Sequence, residues 1–399
     1  MTAASEPFSL SALDAFVDLV GLRAWRGRLA AIEQAVAQGQ RQGQDALRRH
    51  SVEVTIERLR RHALRAPGPA ERRTAAMVAG ALATHRGLSR IGRHRMRAAL
   101  RAALAPGGTL MPLFHLLRTA EMQHQRGFDV RFAGFEDATP FDLLLSRDGV
   151  EAELACDTVS AEEGRDVRQG AWLRLVDRID PALQAWLAAH PGRYLLKLTL
   201  PQGLREDGGD GLATLQWRIA MLLEGPRRAD HDAAAVLRLD PLMLAGAEAD
   251  ALGLMASLRR EFGHEAHLAV TTSGRGVFAL AARAGRENEV AGAIRRRMMA
   301  VAPARLSGRR PGILAMFIED TDRLEWRHLR ERLELEGEAR QFLTLPEARW
   351  VVAVTCASRL ELFGAAEPDA APGGELRFRN PAHPAARTAA LAPAVLSSV

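Results

Sequence analysis

The chain has 399 residues, 47% hydrophobic and 26% charged, with 53 Arg, a single Lys (Lys197) and a net charge of +6 at pH 7. That composition is globular rather than disordered, and the length allows two or three domains with a sizeable core. Two cysteines, Cys156 and Cys356, exclude a disulfide framework and a four-thiolate zinc site, and they suit a reducing compartment. No apolar run approaches the roughly 18 residues of a membrane span. The first ten residues carry Glu6 and no basic segment, so a cytoplasmic protein without membrane attachment is expected. The preference for Arg over Lys is what a GC-rich codon usage produces.

The charge is concentrated. Positions 47–101 hold 14 Arg and four His against Glu53, Glu57 and Glu71, a surplus of 11 that leaves the rest of the chain net negative. Leu10, Leu13, Phe16, Val17 and Val20 recur at helical spacing, as do Ile56, Leu59 and Leu64. Pro67-Gly68-Pro69 interrupts the pattern, and residues 71–82 are Ala-rich and helix-favouring. Ser89 is placed to cap a further helix that begins with Arg90. In it Arg93, Arg97 and Arg101 fall at i, i+4 and i+8, while Met96, Leu100 and Leu104 line another face. The stripe reads either as a phosphate-contacting face or as a solvated surface paired with the acidic remainder. No aromatic interleaves it, so stacking of single-stranded bases is not suggested.

Pro106-Gly107-Gly108 closes this region. The pattern then predicts a helix over 112–125 and three short strands at 129–135, 141–146 and 150–159. Arg147-Asp148-Gly149 is a hairpin signal between the last two strands. A second helix is expected at 171–190, with Trp172, Leu175, Val176, Ile179, Leu183, Trp186 and Leu187 on one face, and then a strand at 193–200. The order is α-β-β-β-α-β.

That order, with Glu121 on the first helix, Pro140-Phe141-Asp142 before the second strand and Thr158-Val159-Ser160 through Gly164-Arg165 after the third, resembles the PD-(D/E)XK nuclease superfamily. The resemblance covers about 90 residues and extends loosely to 309–322 and 378–384. It implies a restriction-endonuclease-like mixed sheet with an N-terminal helical region and an α+β C-terminal extension. It also implies a nucleic-acid partner, DNA in the first place, and Mg²⁺ as cofactor if the chain cleaves. Hard cations take carboxylate oxygens, and they neutralise the scissile phosphate and activate water. The implied ligands are Asp142, Glu153 and Glu121, with Asp157 as a further acid.

The third strand departs from the motif. Glu151, Glu153, Ala155 and Asp157 share one face by alternation. The family's acid-x-lysine pair falls on Glu153-x-Ala155 or Ala155-x-Asp157, and neither holds a lysine. Three readings stay open. The site is dead and the fold survives as a binding or scaffolding module. Or a rearranged cluster of Asp142, Glu153, Asp157 and Glu121 works with Lys197, its strand then neighbouring the third. Or the acids merely line a solvated strand. A non-enzymatic scaffold meeting an acidic protein partner is the competing class.

The remaining sequence predicts a helix over 212–223, strands at 234–239, 268–272 and 277–282, and a helix at 287–299 carrying Arg295, Arg296 and Arg297. Late strands follow at 313–318 and 350–355. Ser273-Gly274-Arg275-Gly276 reads as a turn, His264-Glu265-Ala266-His267 as surface, and Cys156 as a core thiol. The expected division is a helical region at 1–105, a nuclease-like core at 109–230, an extension at 231–364 and a flexible Ala/Pro-rich tail at 365–399.

Overall fold

The computed structural model describes residues 10–61, 67–205, 210–243 and 251–398; Leu64 lies outside them. The chain is mixed α/β with two mixed sheets. Its strands are β1 (Asp129–Arg131), β2 (Leu143–Arg147), β3 (Val150–Ser160), β4 (Arg193–Leu200), β5 (Ala229–His231), β6 (Val236–Pro241), β7 (His267–Ser273), β8 (Gly276–Ala284), β9 (Gly312–Glu319), β10 (Val351–Ser358) and β11 (Leu376–Arg379). Contacts divide the chain into two compact units. One comprises Met1–Glu33, Leu47–Ala161 and Ala291–Val399, the other Gln34–Ala46 and Glu162–Val290. The stretch expected as one core at 109–230 is thereby split between the two units. No helix among the described residues is long and apolar enough to cross a membrane.

The first unit is built on a six-stranded sheet in the order β1-β2-β3-β9-β10-β11. The antiparallel pair β2–β3 closes through Asp148 and Gly149, both at positive φ (50° and 76°). That is the geometry a two-residue hairpin turn demands. β3, β9 and β10 run parallel, and β11 is antiparallel to β10. Helix Met111–Gln125 packs on the β3 face carrying Leu154, and the N-terminal helices share that core through Phe16, Trp25, Val52, Ile56 and Val78. Phe16 meets both Trp25 and Phe114 at ring distances of 6.4 and 6.1 Å. Residues after 365, expected as a flexible tail, are built into this unit: β11 completes the sheet, and Leu391, Ala394 and Val395 are buried.

The capping signal at Ser89 holds. Its hydroxyl accepts from the Gly92 N–H at 3.0 Å and begins helix Arg90–Ala103. The Ser89 N–H donates in turn to Glu136 at 2.9 Å. A Cβ on Gly92 would lie 2.9 Å from the Glu136 carboxylate, which would have to shift to admit it. Ser89→Ala is expected to cost about 1 kcal/mol in unfolding free energy, read by urea denaturation.

The second unit carries the sheet β5-β6-β4-β8-β7, with β4 parallel to β8 and the other pairs antiparallel. Helix Gln169–Ala189 buries Trp172, Leu175, Val176, Ile179, Leu183 and Leu187, the face its periodicity predicts. The entry and exit of the long segment lie side by side: the Glu289 N–H donates to the Gly164 carbonyl at 2.8 Å. A Cβ on Gly164 would stand 2.5 Å from the Val290 Cα, so only glycine fits there.

His115 in the first unit and His267 in the second are both sealed from solvent. His115 is buried, its Nε2 donating to the Ala315 carbonyl at 3.1 Å. His267, expected at the surface, is buried instead, with its ring nitrogens on the Gln169 side chain and the Val167 carbonyl. Burial lowers each pKa to about 4. The unfolded chain binds these protons below about pH 6.5 and the folded chain does not. The stabilisation from each neutral ring is therefore present above pH 6.5 and lost as pH falls through about 4, at about 3 kcal/mol per histidine. Denaturation titrations at pH 7, 5.5 and 4 should show this loss, with the pH 7-to-4 drop smaller in His267→Gln.

Candidate functional site

Of the acids expected at the site, Asp142, Glu153 and Asp157 come together on one sheet face, joined by Glu151. Asp142 precedes β2, its N–H bonded to the Leu154 carbonyl at 3.0 Å, so it stands opposite Ala155. Glu151, Glu153 and Asp157 follow along the same side of β3, as alternation requires. Each of them meets a donor from residues 297–310. Arg305 Nη2 lies 2.8 Å from both Asp142 oxygens, and the Cys156 N–H donates to Asp142 at 2.7 Å. Arg297 grips Asp157 with two bonds of 2.5 and 3.0 Å. Glu153, fully buried, accepts from the Ser307 N–H at 2.8 Å and from its hydroxyl, with Arg310 Nη1 at 3.8 Å. Arg310 Nε also binds Glu151 at 2.6 Å.

Burial raises the Asp142 pKa above its ordinary value, opposed by the Arg305 guanidinium and the Cys156 N–H, with Asp157 adding to the rise. Two-point guanidinium–carboxylate contacts are among the strongest charge-assisted pairs. They use the oxygens that a hard cation would need. Among the described residues no three His, Cys, Asp or Glu side chains converge to hold a metal ion. The residues present do not fit Mg²⁺: the carboxylates are committed to cationic and hydroxyl donors, and Ala155 occupies a position where the motif needs a charged group.

Two expected members of the site are elsewhere. Lys197 lies on β4 in the five-stranded sheet, between β6 and β8, and its Nζ pairs with Asp240 at 3.1 Å. The neighbours of β3 are β2 and β9. The strand nearest in sequence belongs to the inserted segment, which forms its own sheet. Glu121 sits on helix Met111–Gln125, which packs against the opposite face of the sheet, the side of Leu154 and Cys156 away from the acids. Glu121 is exposed and accepts from Gln125 at 2.8 Å. Cys156 is a core thiol whose pKa is pushed well up by burial, so it is not poised as a nucleophile.

The basic stripe has the opposite character. Helix Arg90–Ala103 buries Gly92, Met96 and Leu100, and leaves Arg90, Arg93, Arg97 and Arg101 exposed. None of the four pairs with an acid among the described residues. The helix is fixed at both ends. Arg95 donates to the Phe135 and Glu136 carbonyls at 2.8 and 2.7 Å. Beyond its C-terminus, the Arg28 guanidinium donates to the Ala103, Ala105 and Gly108 carbonyls at 3.1, 2.7 and 2.9 Å. Sequence reasoning found the stripe and missed the donors at 297–310. Their signal was present as a run of arginines at 295–297, 305 and 309–310.

Comparison with family models, with curated proteins and with solved structures found no match.

Proposed function

We propose that this is a nuclease-like protein that binds nucleic acid through the arginine stripe and does not cleave it. Helix Met111–Gln125, then β1, β2 and β3, then helix Val290–Arg305 and β9 give the α-β-β-β-α-β order, with residues 162–290 inserted before the second helix. β2 is antiparallel to β3, and β3 runs parallel to β9. This supports a restriction-endonuclease-like core whose closing helix and strand come from the stretch after the insertion.

The reading is carried by one contrast: every acid of the row is matched by a donor, while every arginine of the stripe is exposed and without an acid partner. A face of unpaired guanidinium groups attracts polyanions by releasing their counterions. Paired carboxylates cannot gather cations around a scissile phosphate. The test is to incubate supercoiled plasmid with the protein and Mg²⁺ or Mn²⁺, beside Asp142→Ala. Both proteins should leave the plasmid supercoiled. Nicking by the wild type that Asp142→Ala abolishes would contradict the reading.

A further inference from the structure

Helix Met111–Gln125, on the sheet face away from the acid row, and helix Pro69–Gly87 form two walls of a cavity of about 530 Å³. Small residues keep it open: Ala76, Gly80 and Ala83 fall at i, i+4 and i+7 on one helix, with Ala120 on the other. A Cβ on Gly80 would meet nothing within 4 Å. Met77, Leu117, Met122 and Phe132 give the walls an apolar character. Arg118 interrupts it. That side chain is 9% exposed, its Nη2 donates to the Gly374 carbonyl, and its Nε has no hydrogen-bond partner. Nε is the only guanidinium atom there both shielded and without a partner, so Nη1, which makes no hydrogen bond, keeps an open side. Arg73, exposed on the facing helix, lines the same cavity and donates its Nε to the Leu362 carbonyl at 3.3 Å. Among the described residues neither arginine forms an ion pair. Glu375, the acid whose field acts most on Arg118, is held by Arg126 at 2.7 Å, and Glu121 by Gln125 at 2.8 Å.

We propose that this cavity binds a single-chain amphiphile with an anionic head, a carboxylate or a phosphate, the head on Arg118 and Arg73 and the chain along Met77, Leu117, Met122 and Phe132. Three observations fit one ligand. A guanidinium keeps its charge, and a buried one answered only by a backbone carbonyl calls for an anion. The cavity on which both arginines lie gives that anion a way in. Its volume and its apolar walls with few polar groups are those of a small-ligand site, and they give a hydrocarbon chain somewhere to leave water. The site is separate from the arginine stripe and does not depend on the nucleic-acid reading.

Methionine-methyl ¹³C spectra of the full chain, with Met77 and Met122 assigned through Met77→Leu and Met122→Leu, test this. The probes are decanoate, decyl phosphate, decyltrimethylammonium and acetate, each kept below any micelle-forming concentration. Decanoate or decyl phosphate should move both methyl resonances in a saturable way, and the tighter of the two assigns the head. Affinity should exceed that of acetate by about a hundredfold or more, since each buried methylene contributes about fourfold. Arg118→Met should weaken binding about tenfold, the loss of one charge-assisted bond. Because Arg118 is buried, Gly80→Phe provides a second variant at an exposed position: it fills the cavity and should reduce affinity by about tenfold or more with the fold intact by circular dichroism. Equal affinity for decyltrimethylammonium would overturn the anionic head, and equal affinity for acetate the apolar chain. Fixed Met77 and Met122 resonances with both anionic amphiphiles, or undiminished binding in Gly80→Phe, would overturn the site.

Discussion

Replacing Arg90, Arg93, Arg97 and Arg101 by alanine should flatten the salt dependence of nucleic-acid binding. Four phosphate contacts on a duplex give a slope of log affinity against log salt near −3.6, and affinity falls roughly a hundredfold between 50 and 200 mM salt. Without these side chains the slope should approach zero and low-salt affinity should drop by a similar factor. The change is cleanly interpretable because all four side chains are exposed and the core contacts of their helix run through Gly92, Met96 and Leu100. Fluorescence anisotropy of a labelled duplex at four salt concentrations measures both quantities. Equal slopes for variant and wild type would remove the stripe from the interface.

The second large effect is on stability. Arg305→Ala should destabilise the protein by about 2–3 kcal/mol at pH 7, because Asp142 keeps its charge in a largely buried place after losing its partner. The Arg305 side chain is about one-third exposed, which places the loss below that of a fully buried pair. The pH dependence has a definite sign. An acid whose folded pKa lies above its unfolded value contributes stability that is present below the unfolded pKa and lost as pH rises through the folded one. Burial already raises Asp142, and removing Arg305 raises it further. The deficit should therefore be largest at neutral pH and shrink as the solution is acidified toward 4. Asp142→Asn in the Arg305→Ala background should recover most of it, since the amide oxygen still accepts from the Cys156 N–H. Urea denaturation of the four proteins of this cycle gives the coupling directly. A coupling near zero would mean that the acid row does not depend on its arginines.

Local chemistry was legible in the sequence because it depends on neighbours along the chain. Ser89 caps, Asp148-Gly149 turns, and alternation put Glu151, Glu153 and Asp157 on one face. The assignment of Lys197 failed for a different reason. The helix at 169–189 and β4 have the right pattern for the closing helix and strand of the core, but a pattern of period 3.6 or 2 does not name the sheet it joins. The true neighbour of β3 is β9, more than 150 residues later, across a segment with a core of its own. The same non-locality hid the partners of the acids: Arg297, Arg305 and Ser307 meet β2 and β3 through tertiary register alone. The stretch after 365 misled through composition, since its Ala and Pro content suggests a linker while Leu376 and Phe378 alternate inward on an edge strand. His267 was misread because spacing excluded a metal helix without revealing that the ring is buried.

The most direct test of the central claim combines binding and integrity in one sample. A labelled duplex is titrated with the protein in 50 mM salt and 5 mM Mg²⁺, its anisotropy followed to saturation, and the recovered DNA resolved on a denaturing gel. Saturable binding that the four-alanine stripe variant loses, with the DNA recovered at full length, is the predicted result. Shortened strands that disappear with Asp142→Ala, or saturable binding equally strong in the stripe variant, would contradict it.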